Sequence, residues 1–580
     1  MIRKLTYIIP ALLLMTAACK KDLDINVDPN NPTKVSISNL LPAAEKNLAN
    51  NLAIGNGTDG GLSDILSVYT HQVTTREDPN QYGVTGSDFY IQNAWQGLYI
   101  DVLSNLDIII QQGTEEGNIQ YAGIAKILKA YTYSQLVDTF GDVPFSEANK
   151  LKEGIYFPVF DKGEDIYPQL MEMLDDGIAD LNNTSAENAE APGTDDVIYG
   201  GDIQKWIKAA NSIKLKLLVQ QRLIKDISAE ASALIASGNL ISSTAESFLL
   251  PYGPNAATDD RNPGFGDYYA TQRSHNISPW FYEILKGYNP NINTGIEDPR
   301  IPYYFFNQLL PDQQAENATD YRDGPFVSMY FGSQSPNKDK IQQNSMTLLG
   351  IYPVGGRYDD GQGRNALPDK KVSASSGTGA APYRFITYAD VLYLEAELIK
   401  AGLIPGDARA KLKEAMEESF RQVDYVINTY VKPAQTVPPI YNTTFDAAFP
   451  NDPEKTAPMV IYVNKILAQY DANPSKQLEI IMTQKWISSF GSAVDQYTDY
   501  RRTGYPVIFN PNDPAMAPGG SVQPPINGDP ENPGAQPAVK VQLNRSYPLT
   551  LPWYQEELET NSNAPEQKAD PSKFKPFWMP

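Results

Sequence analysis

The chain has 580 residues, a formal charge of −22 at neutral pH and 41% hydrophobic residues. The acidic excess disfavours nucleic acids and anionic lipid surfaces as partners, and the hydrophobic fraction is ample for a folded core, which argues against global disorder. The chain is longer than a single core normally supports, so we expect two closely packed subdomains or one large irregular domain.

The N-terminal segment has the pattern of a secretory signal. Two basic residues precede an apolar run over residues 5–15 that is too short to span a bilayer, and two alanines stand directly before Cys19, the only cysteine. This resembles a bacterial lipobox, although Thr16 occupies a position where Leu is usual. We predict a lipoprotein signal peptide over residues 1–18, lipid attachment at Cys19 and an extended spacer over residues 19–35. A plain signal peptide with an incidental cysteine is the alternative.

Residues 36–247 are predicted to be mainly helical. Their apolar spacing indicates helices over residues 40–54, 62–73, 89–111, 119–136, 164–181 and 203–227. The helical hairpins are comparable in length to tetratricopeptide units, but no residue signature repeats at a fixed period. We therefore predict a divergent array of helical hairpins. No apolar run after the signal reaches membrane-spanning length, so the chain is expected to sit on a membrane without crossing it.

Residues 248–383 differ from the segments on either side. They are rich in Pro, Gly, Asn, Asp and Tyr, and no helical or strand period persists. A long loop-rich region in a compact chain is usually functional or disordered, and the aromatic content argues against disorder. We interpret this region as an irregular ligand-binding part.

Helical spacing returns in the C-terminal third. Helices are expected over residues 386–401, 407–426 and 476–501. We predict that residues 384–505 complete the helical scaffold and that the Pro-rich segment 506–580 packs on it. The expected fold class is mainly α: a tetratricopeptide-like scaffold of helical hairpins with a large irregular subdomain and few short strands.

Several stretches together resemble the SusD/RagB family of outer-membrane lipoproteins, in the family's order and over nearly the whole chain. They are the lipobox-like Cys19, AYTYSQLVDTFGDVP at 130–144, WIKAANSIKLK at 206–216, PYRFITYADVLYLEAE at 382–397, QKW at 484–486 with DYRRTGYP at 499–506, and the C-terminal Arg545, Tyr547, Pro548 and Asn561.

The resemblance implies a role as well as a fold. It implies a surface cap on a SusC-like, TonB-dependent outer-membrane transporter, held by acyl chains such as palmitate and facing the cell exterior. Such a protein captures a nutrient, commonly an oligosaccharide, and delivers it to the transporter. A peptide or another nutrient is the alternative ligand. The helical hairpins would then dock the transporter instead of acting as an independent protein adaptor.

Sugar binding without cleavage needs aromatic faces for the pyranose rings and polar groups for the hydroxyls. The resemblance transfers no site residues, so the candidates come from the Tyr-rich loops, with a structural role as the alternative for each. The candidates are Arg76, Asp78, Tyr82, Tyr268, Tyr269, Trp280, Tyr282, Tyr303, Tyr304, Tyr352, Arg357 and Tyr358.

The sequence offers little for an enzyme. His71 and His275 are the only imidazoles, and neither an HExxH pattern, a cysteine ligand set nor a G-x-S-x-G elbow is present. A glycoside hydrolase needs only two suitably placed carboxylates, and the sequence has 69 acidic residues. Glycoside hydrolysis is therefore kept as the less favoured alternative. We predict a non-catalytic protein without cofactor or metal. The acidic turn Asp359-Asp360-Gly361 has oxygen ligands that Ca²⁺ prefers, but it lacks the EF-hand spacing, and an ordinary turn is the favoured interpretation.

Overall fold

The computed structural model describes residues 35–55, 61–76, 78–271, 273–317, 319–334, 342–513, 516 and 542–580. The predicted signal peptide, Cys19, nearly all of the spacer and the side chain of Asp78 lie outside what is described, so those predictions stay untested by the fold.

The N-terminal part consists of helices that pack mainly against their neighbours along the chain. They are α1 (Ile37–Leu52), α2 (Leu62–Tyr69), α3 (Phe89–Gln96), a π-helical turn (Gly97–Leu103), α4 (Ser104–Glu116), α5 (Ile119–Phe140), α6 (Gly163–Leu181), α7 (Ile203–Gln221) and α8 (Ser228–Ala236). Helix α5 packs between α4 and α6, and α6 packs on α7. The predicted hairpin array is confirmed. The π-helical turn interrupts the helix expected over residues 89–111, and α8 was not predicted.

Helix α5 lies at the centre of this array and is buried on every side in its C-terminal half. All residues from Ala130 to Phe140 are buried. A helical stretch without an exposed face is surrounded by other elements, and its polar side chains, such as Asp138, are buried with the rest. Its close approach to α6 depends on a glycine pair, since a Cβ added to Gly177 would lie 3.0 Å from the carbonyl oxygen of Gly123. The sequence 130–144, which carried part of the family resemblance, therefore has a structural role.

The remaining helices follow the irregular part or lie within it. They are α9 (Pro279–Lys286), α10 (Ile301–Tyr304), α11 (Ile351–Val354), α12 (Tyr388–Lys400), α13 (Ala408–Val426) with a π-helical turn (Ile427–Val431), α14 (Pro458–Ala472), α15 (Gln477–Ser488), α16 (Val494–Thr503) and α17 (Gln555–Thr560). Helix α14 and the shorter helices α9, α10, α11 and α17 were not predicted. The helix expected over residues 476–501 is broken before α16, where Gly491 adopts a φ of 95°.

Strands are few and short, as predicted. In the described residues they form five antiparallel pairs: β1 (Val73–Thr74) with β5 (Asn276–Ile277), β2 (Val143–Pro144) with β3 (Phe160–Asp161), β4 (Phe248–Leu250) with β10 (Tyr383–Ile386), β6 (Phe305–Phe306) with β9 (Leu348–Leu349), and β7 (Tyr321–Asp323) with β8 (Phe326–Ser328). The β4–β10 pair brackets the irregular part and places Leu250 opposite Tyr383. It thereby brings the two helical parts together.

A buried ion cluster also joins the two helical parts. Glu397 on α12 accepts hydrogen bonds from Arg502 on α16 and from Arg222, which follows α7. Burial alone would favour the neutral carboxyl group, but the two guanidinium groups hold the pKa of Glu397 at about 2. The fully buried carboxylate is therefore charged and paired.

Candidate functional site

A cleft of about 650 Å³ opens between α1, the α3–π-helical segment and the loop 259–270. Its lining is mostly polar. The lining residues are Lys46, Asn47, Asn50, Asn51, Asn93, Gln96, Gly97, Asp101, Asp259, Arg261, Asn262, Pro263, Gly266, Tyr269 and Ala270. We call this cavity the amide cleft.

Asparagines on α1 supply one wall of the amide cleft. Asn47, Asn50 and Asn51 lie three and four residues apart, which places them on one face of the helix. The Asn50 Oδ1 accepts a hydrogen bond from the Tyr252 hydroxyl at 2.8 Å, and the Asn51 Nδ2 donates to the Asn47 carbonyl oxygen at 2.8 Å. These bonds fix the amides without consuming all of their donors and acceptors.

Helix α3 and the π-helical turn that follows it bring a second set of polar side chains to the amide cleft. Asn93, Gln96 and Asp101 line it from this segment. The turn approaches α1 so closely that a Cβ at Gly97 would lie 2.1 Å from the Asn51 Oδ1. A π-helical turn inside a helix often marks a functional site, and here it allows Asn51 to occupy the cleft wall.

The opposite wall is built by the loop between β4 and β5. The Asn262 side chain accepts from the Gly264 amide at 3.0 Å, and Pro263 follows at the first position of a 3₁₀ turn (Pro263–Tyr268), the pattern that begins a helical turn. The Asn262 Nδ2 also donates to the Ala381 carbonyl oxygen at 3.0 Å. The loop is thus tied to the strand region before β10.

An ion pair and an aromatic ring form the rim of this wall. Asp259, whose φ is 45°, accepts from the Arg261 Nε at 3.1 Å and from Nη2 at 2.9 Å. The Arg261 guanidinium lies 4.6 Å from the centre of the Tyr269 ring. Arg261 is nine-tenths buried, and its Nη1 has no hydrogen-bond acceptor among the described residues. Tyr269 itself is 44% exposed.

A buried ion triad lies close to this wall. His275 hydrogen-bonds through Nδ1 to Asp267, in the 3₁₀ turn, and through Nε2 to Asp64 on α2, both at 2.9 Å. Burial disfavours the imidazolium, but the two carboxylates outweigh it and raise the pKa of His275 to about 10. The charged histidine connects α2 to the turn that lines the amide cleft.

Tyr269 is the one predicted ligand residue that lines the amide cleft. Seven other candidates are at most 5% exposed, so their side chains offer almost no surface to a ligand. They are Tyr82, Tyr268, Trp280, Tyr282, Tyr303, Tyr304 and Tyr352. The physical reason is that their rings fill the hydrophobic core; the Tyr304 hydroxyl, for example, donates to the Ile487 carbonyl oxygen at 3.0 Å. We do not include them in the site.

The other candidates lie away from the amide cleft. Arg76, Arg357 and Tyr358 are half-buried and line none of its walls. The turn considered for Ca²⁺ forms ordinary side chain to backbone bonds, with the Asp359 Oδ1 accepting from the Gly361 amide at 3.0 Å. Across the described residues, no group of three or more His, Cys, Asp or Glu side chains is arranged to hold a metal ion.

The sequence reasoning missed most of the amide cleft. Arg261 stands in a loop that the sequence predicts to be irregular. Apart from their separation by two residues, no sequence pattern predicts its ion pair with Asp259. The same-face spacing of Asn47, Asn50 and Asn51 on a predicted helix was a readable signal, because polar side chains on one face mark a surface that is not packed.

A family model named SusD-like, described as starch-binding and associating with the outer membrane, matches residues 29–524. The chain belongs to the SusD-like family. The predicted resemblance is therefore confirmed. A search of curated proteins gave no match. No helix in the described residues combines the length and the apolar character that crossing a membrane requires.

Solved structures share the SusD-like fold. A SusD homologue from Bacteroides fragilis matches with 18% identity over 94% of this chain and 99% of its own (TM-score 0.61). A SusD/RagB family protein from Bacteroides thetaiotaomicron matches with 21% identity over 91% and 95% (TM-score 0.59). A chitin-binding SusD homologue from Flavobacterium johnsoniae matches with 18% identity over 93% and 98% (TM-score 0.60). These likenesses establish the mainly helical fold.

Proposed function

We propose that this SusD-like protein binds oligosaccharides in the amide cleft without cleaving them and delivers them to a SusC-like, TonB-dependent transporter. The observation that carries the proposal is the amide cleft itself, which is lined by six Asn and Gln side chains together with the exposed ring of Tyr269. Amides offer donors and acceptors to sugar hydroxyls, and a tyrosine ring offers an apolar face to a pyranose. The family description and the chitin-binding homologue support a glycan as ligand.

The proposal that the protein is non-catalytic rests on the state of the carboxylates. Two of them line the amide cleft, Asp101 and Asp259. Glycoside hydrolysis needs one protonated and one ionised carboxyl group across the scissile bond. The Arg261 guanidinium holds the Asp259 carboxylate through two hydrogen bonds, so this group is engaged in an ion pair at the rim and is not free to act on a glycosidic bond.

The proposed location is the outer face of the outer membrane, with a lipid anchor at Cys19. The family description as outer-membrane-associated and the lipobox-like sequence support this placement. Several acyl chains would hold the protein stably, whereas one alone would bind only marginally.

Isothermal titration calorimetry of the chain from Lys20 onward tests the ligand class. The probes are α-1,4-linked glucose hexasaccharide, β-1,4-linked N-acetylglucosamine hexasaccharide and a mixture of short peptides. We expect one of the two sugars to bind and Tyr269→Ala to weaken that binding about tenfold, a loss in the lower part of the roughly 1–3 kcal/mol that removal of an aromatic side chain costs a stacked nucleobase. Tyr288→Ala is the matched control, because Tyr288 is 54% exposed and does not line the cleft.

Three outcomes would count against the proposal. Binding of the peptides but of neither sugar would replace the glycan with a peptide as the ligand. Sugar binding that Tyr269→Ala leaves unchanged would move the site away from the amide cleft. Release of shorter sugars during incubation, detected by chromatography, would show that the protein is a hydrolase.

A further inference from the structure

A second cavity, of about 300 Å³, lies on the other side of the α3–π-helical segment. We call it the distal cavity. Helix residues Trp95, Tyr99 and Ile100 line it, together with Pro158 and with residues of α17 and the segment before it. Nothing in the proposed function uses this cavity.

Gln96 lines both the amide cleft and the distal cavity. Its Nε2 donates to the Tyr554 hydroxyl at 3.2 Å, so the amide is tied to the wall of the distal cavity. Because one side chain belongs to both linings, the two cavities are neighbours separated by a single helical ridge. The ridge continues at Ile100, which is 60% exposed.

The distal cavity combines an apolar floor with a polar rim. On the floor, the half-buried Tyr99 packs against the buried Trp95, with ring centres 5.2 Å apart, and the exposed Ile100 adds apolar surface beside Tyr99. Glu557 and Thr560 on α17 supply oxygen atoms at the rim. The distal cavity thus offers an apolar surface to sugar rings and acceptors to their hydroxyl groups. The amide cleft offers the same two kinds of contact.

The wall formed by Pro158 is held in place by the C-terminal segment. The Asn561 Nδ2 donates to the Pro158 carbonyl oxygen at 2.8 Å and to the Glu557 Oε1 at 2.9 Å. The Asn563 Nδ2 donates to the Phe157 carbonyl oxygen at 2.6 Å. The cavity is therefore preformed, so a ligand would spend little binding free energy on ordering it.

We propose that the distal cavity is a second subsite for the same ligand: a linear oligosaccharide that starts in the amide cleft, crosses Gln96 and Ile100, and ends against Pro158 and Glu557. This rests on the proposed function. It adds that the ligand is an extended chain longer than the amide cleft alone holds. Docking of a protein on the exposed apolar residues near the cavity is the competing explanation, and the experiment separates the two.

The experiment measures affinity against chain length. Di-, tri-, tetra- and hexasaccharides of whichever sugar series binds are titrated into the wild type and into Ile100→Ala/Glu557→Gln. We expect the wild type to bind the hexasaccharide at least about tenfold more tightly than the shortest sugar that binds. The double variant should lose most of that gain and keep the wild-type affinity for the shortest sugar. Both side chains lie at the surface or rim, and circular dichroism verifies that the variant is folded.

Tyr269→Ala provides the matched comparison, since it should weaken short and long sugars by the same factor. An affinity that does not rise with chain length would overturn the second subsite while leaving the amide cleft intact. Equal losses for short and long sugars in the double variant would also overturn it. Unchanged affinity of the double variant for every sugar would overturn it as well and would leave protein docking as the competing explanation. If neither sugar series binds, the proposed function fails and the second subsite fails with it.

Discussion

At the scale of single residues, the rim of the amide cleft depends on a chain of contacts from Asp259 through Arg261 to Tyr269. The ion pair fixes the guanidinium, and the guanidinium faces the exposed ring. Asp259 adopts a left-handed backbone conformation, which costs free energy for a residue other than glycine and often occurs at functional sites. Arg261 is therefore expected to act on the ligand through Tyr269.

Replacement of Arg261 by Met tests this indirect role. The variant keeps the length of the side chain but loses the cation–π contact, which is worth about 0.5–1 kcal/mol at an exposed site, so we expect a two- to fivefold weaker binding of the hexasaccharide. In the Tyr269→Ala background the same change should have no further effect on affinity. A double-mutant cycle by calorimetry measures the coupling, and additive losses would contradict it.

The two histidines make the protein sensitive to pH in opposite directions. Burial lowers the pKa of His71 to about 3, whereas the carboxylates of Asp64 and Asp267 overcome burial and raise the pKa of His275 to about 10. The pKa of an unfolded histidine is about 6.5. Protonation of His71 therefore favours the unfolded state below that pH, and protonation of His275 favours the folded state.

The contribution of His275 predicts a loss of stability in alkali. It is fully present below about pH 6.5 and is lost as the pH rises through about 10, because the folded state then releases a proton that the unfolded chain has already lost. Urea unfolding at intervals between pH 6 and 10 should show a free energy of unfolding that falls with pH. His275→Gln should be less stable at pH 6 and show a shallower fall. A variant with the wild-type slope would contradict the charged state of His275.

At the scale of secondary structure elements, the π-helical turn is the feature that most shapes the amide cleft. It was not predicted, because the apolar spacing of residues 89–111 is compatible with a continuous α-helix. The widened turn is decided by packing, since it seats Gly97 against Asn51 of α1.

Gly97→Ala is expected to lower the affinity for sugar without lowering the stability of the fold. A methyl group would lie 2.4 Å from the Asn51 Cγ and force that amide out of the cleft wall, while alanine favours the helical conformation by about 0.5–1 kcal/mol. We therefore expect weaker sugar binding, by about three- to tenfold, and a melting temperature within a few degrees of the wild type. Asn51→Ala should reproduce the loss of affinity, and combining the two changes should add little. Unchanged sugar binding by Gly97→Ala would show that Asn51 does not contact the ligand.

The longer helices were largely predictable, with α8 and α14 as exceptions. Helix α5 and the start of α12 carry strong local signals; Thr387 and Asp390 form a capping box at the latter. Helices α8 and α14 were missed because their sequences, SAEASALIA and PMVIYVNKILAQYDA, lie between loop-rich stretches. Tyr and Trp positions were poor guides to the site because side-chain type does not reveal whether a ring faces the core or solvent.

At the scale of the whole molecule, the N-terminal cysteine and the folded part support different conclusions. The folded part identifies the SusD-like family, while Cys19 alone carries the predicted membrane attachment. No part of the described fold bears on that attachment.

Cys19→Ala is expected to release the protein from the membrane fraction. The substitution removes the thiol that would carry the acyl chains, and at least two such chains are needed for stable anchoring. The measurement is fractionation with immunoblotting in cells that lack the transporter, so that docking cannot retain the protein. Thr16→Leu, which restores the usual lipobox residue, is the matched control and should remain attached. Membrane retention of Cys19→Ala in such cells would exclude the lipid anchor.

The sequence by itself determined the helical scaffold, the irregular middle and the family, because apolar periodicity, Pro and Gly content and ordered motifs are local properties of the chain. Tertiary structure decided the site. The amide cleft joins residues 46–51, 93–101 and 259–270, and whether a tyrosine such as Tyr269 is exposed or, like Tyr268 beside it, fully buried depends on what packs against it. Contacts between residues far apart in sequence leave no local pattern, so only the folded chain shows which polar side chains face one another.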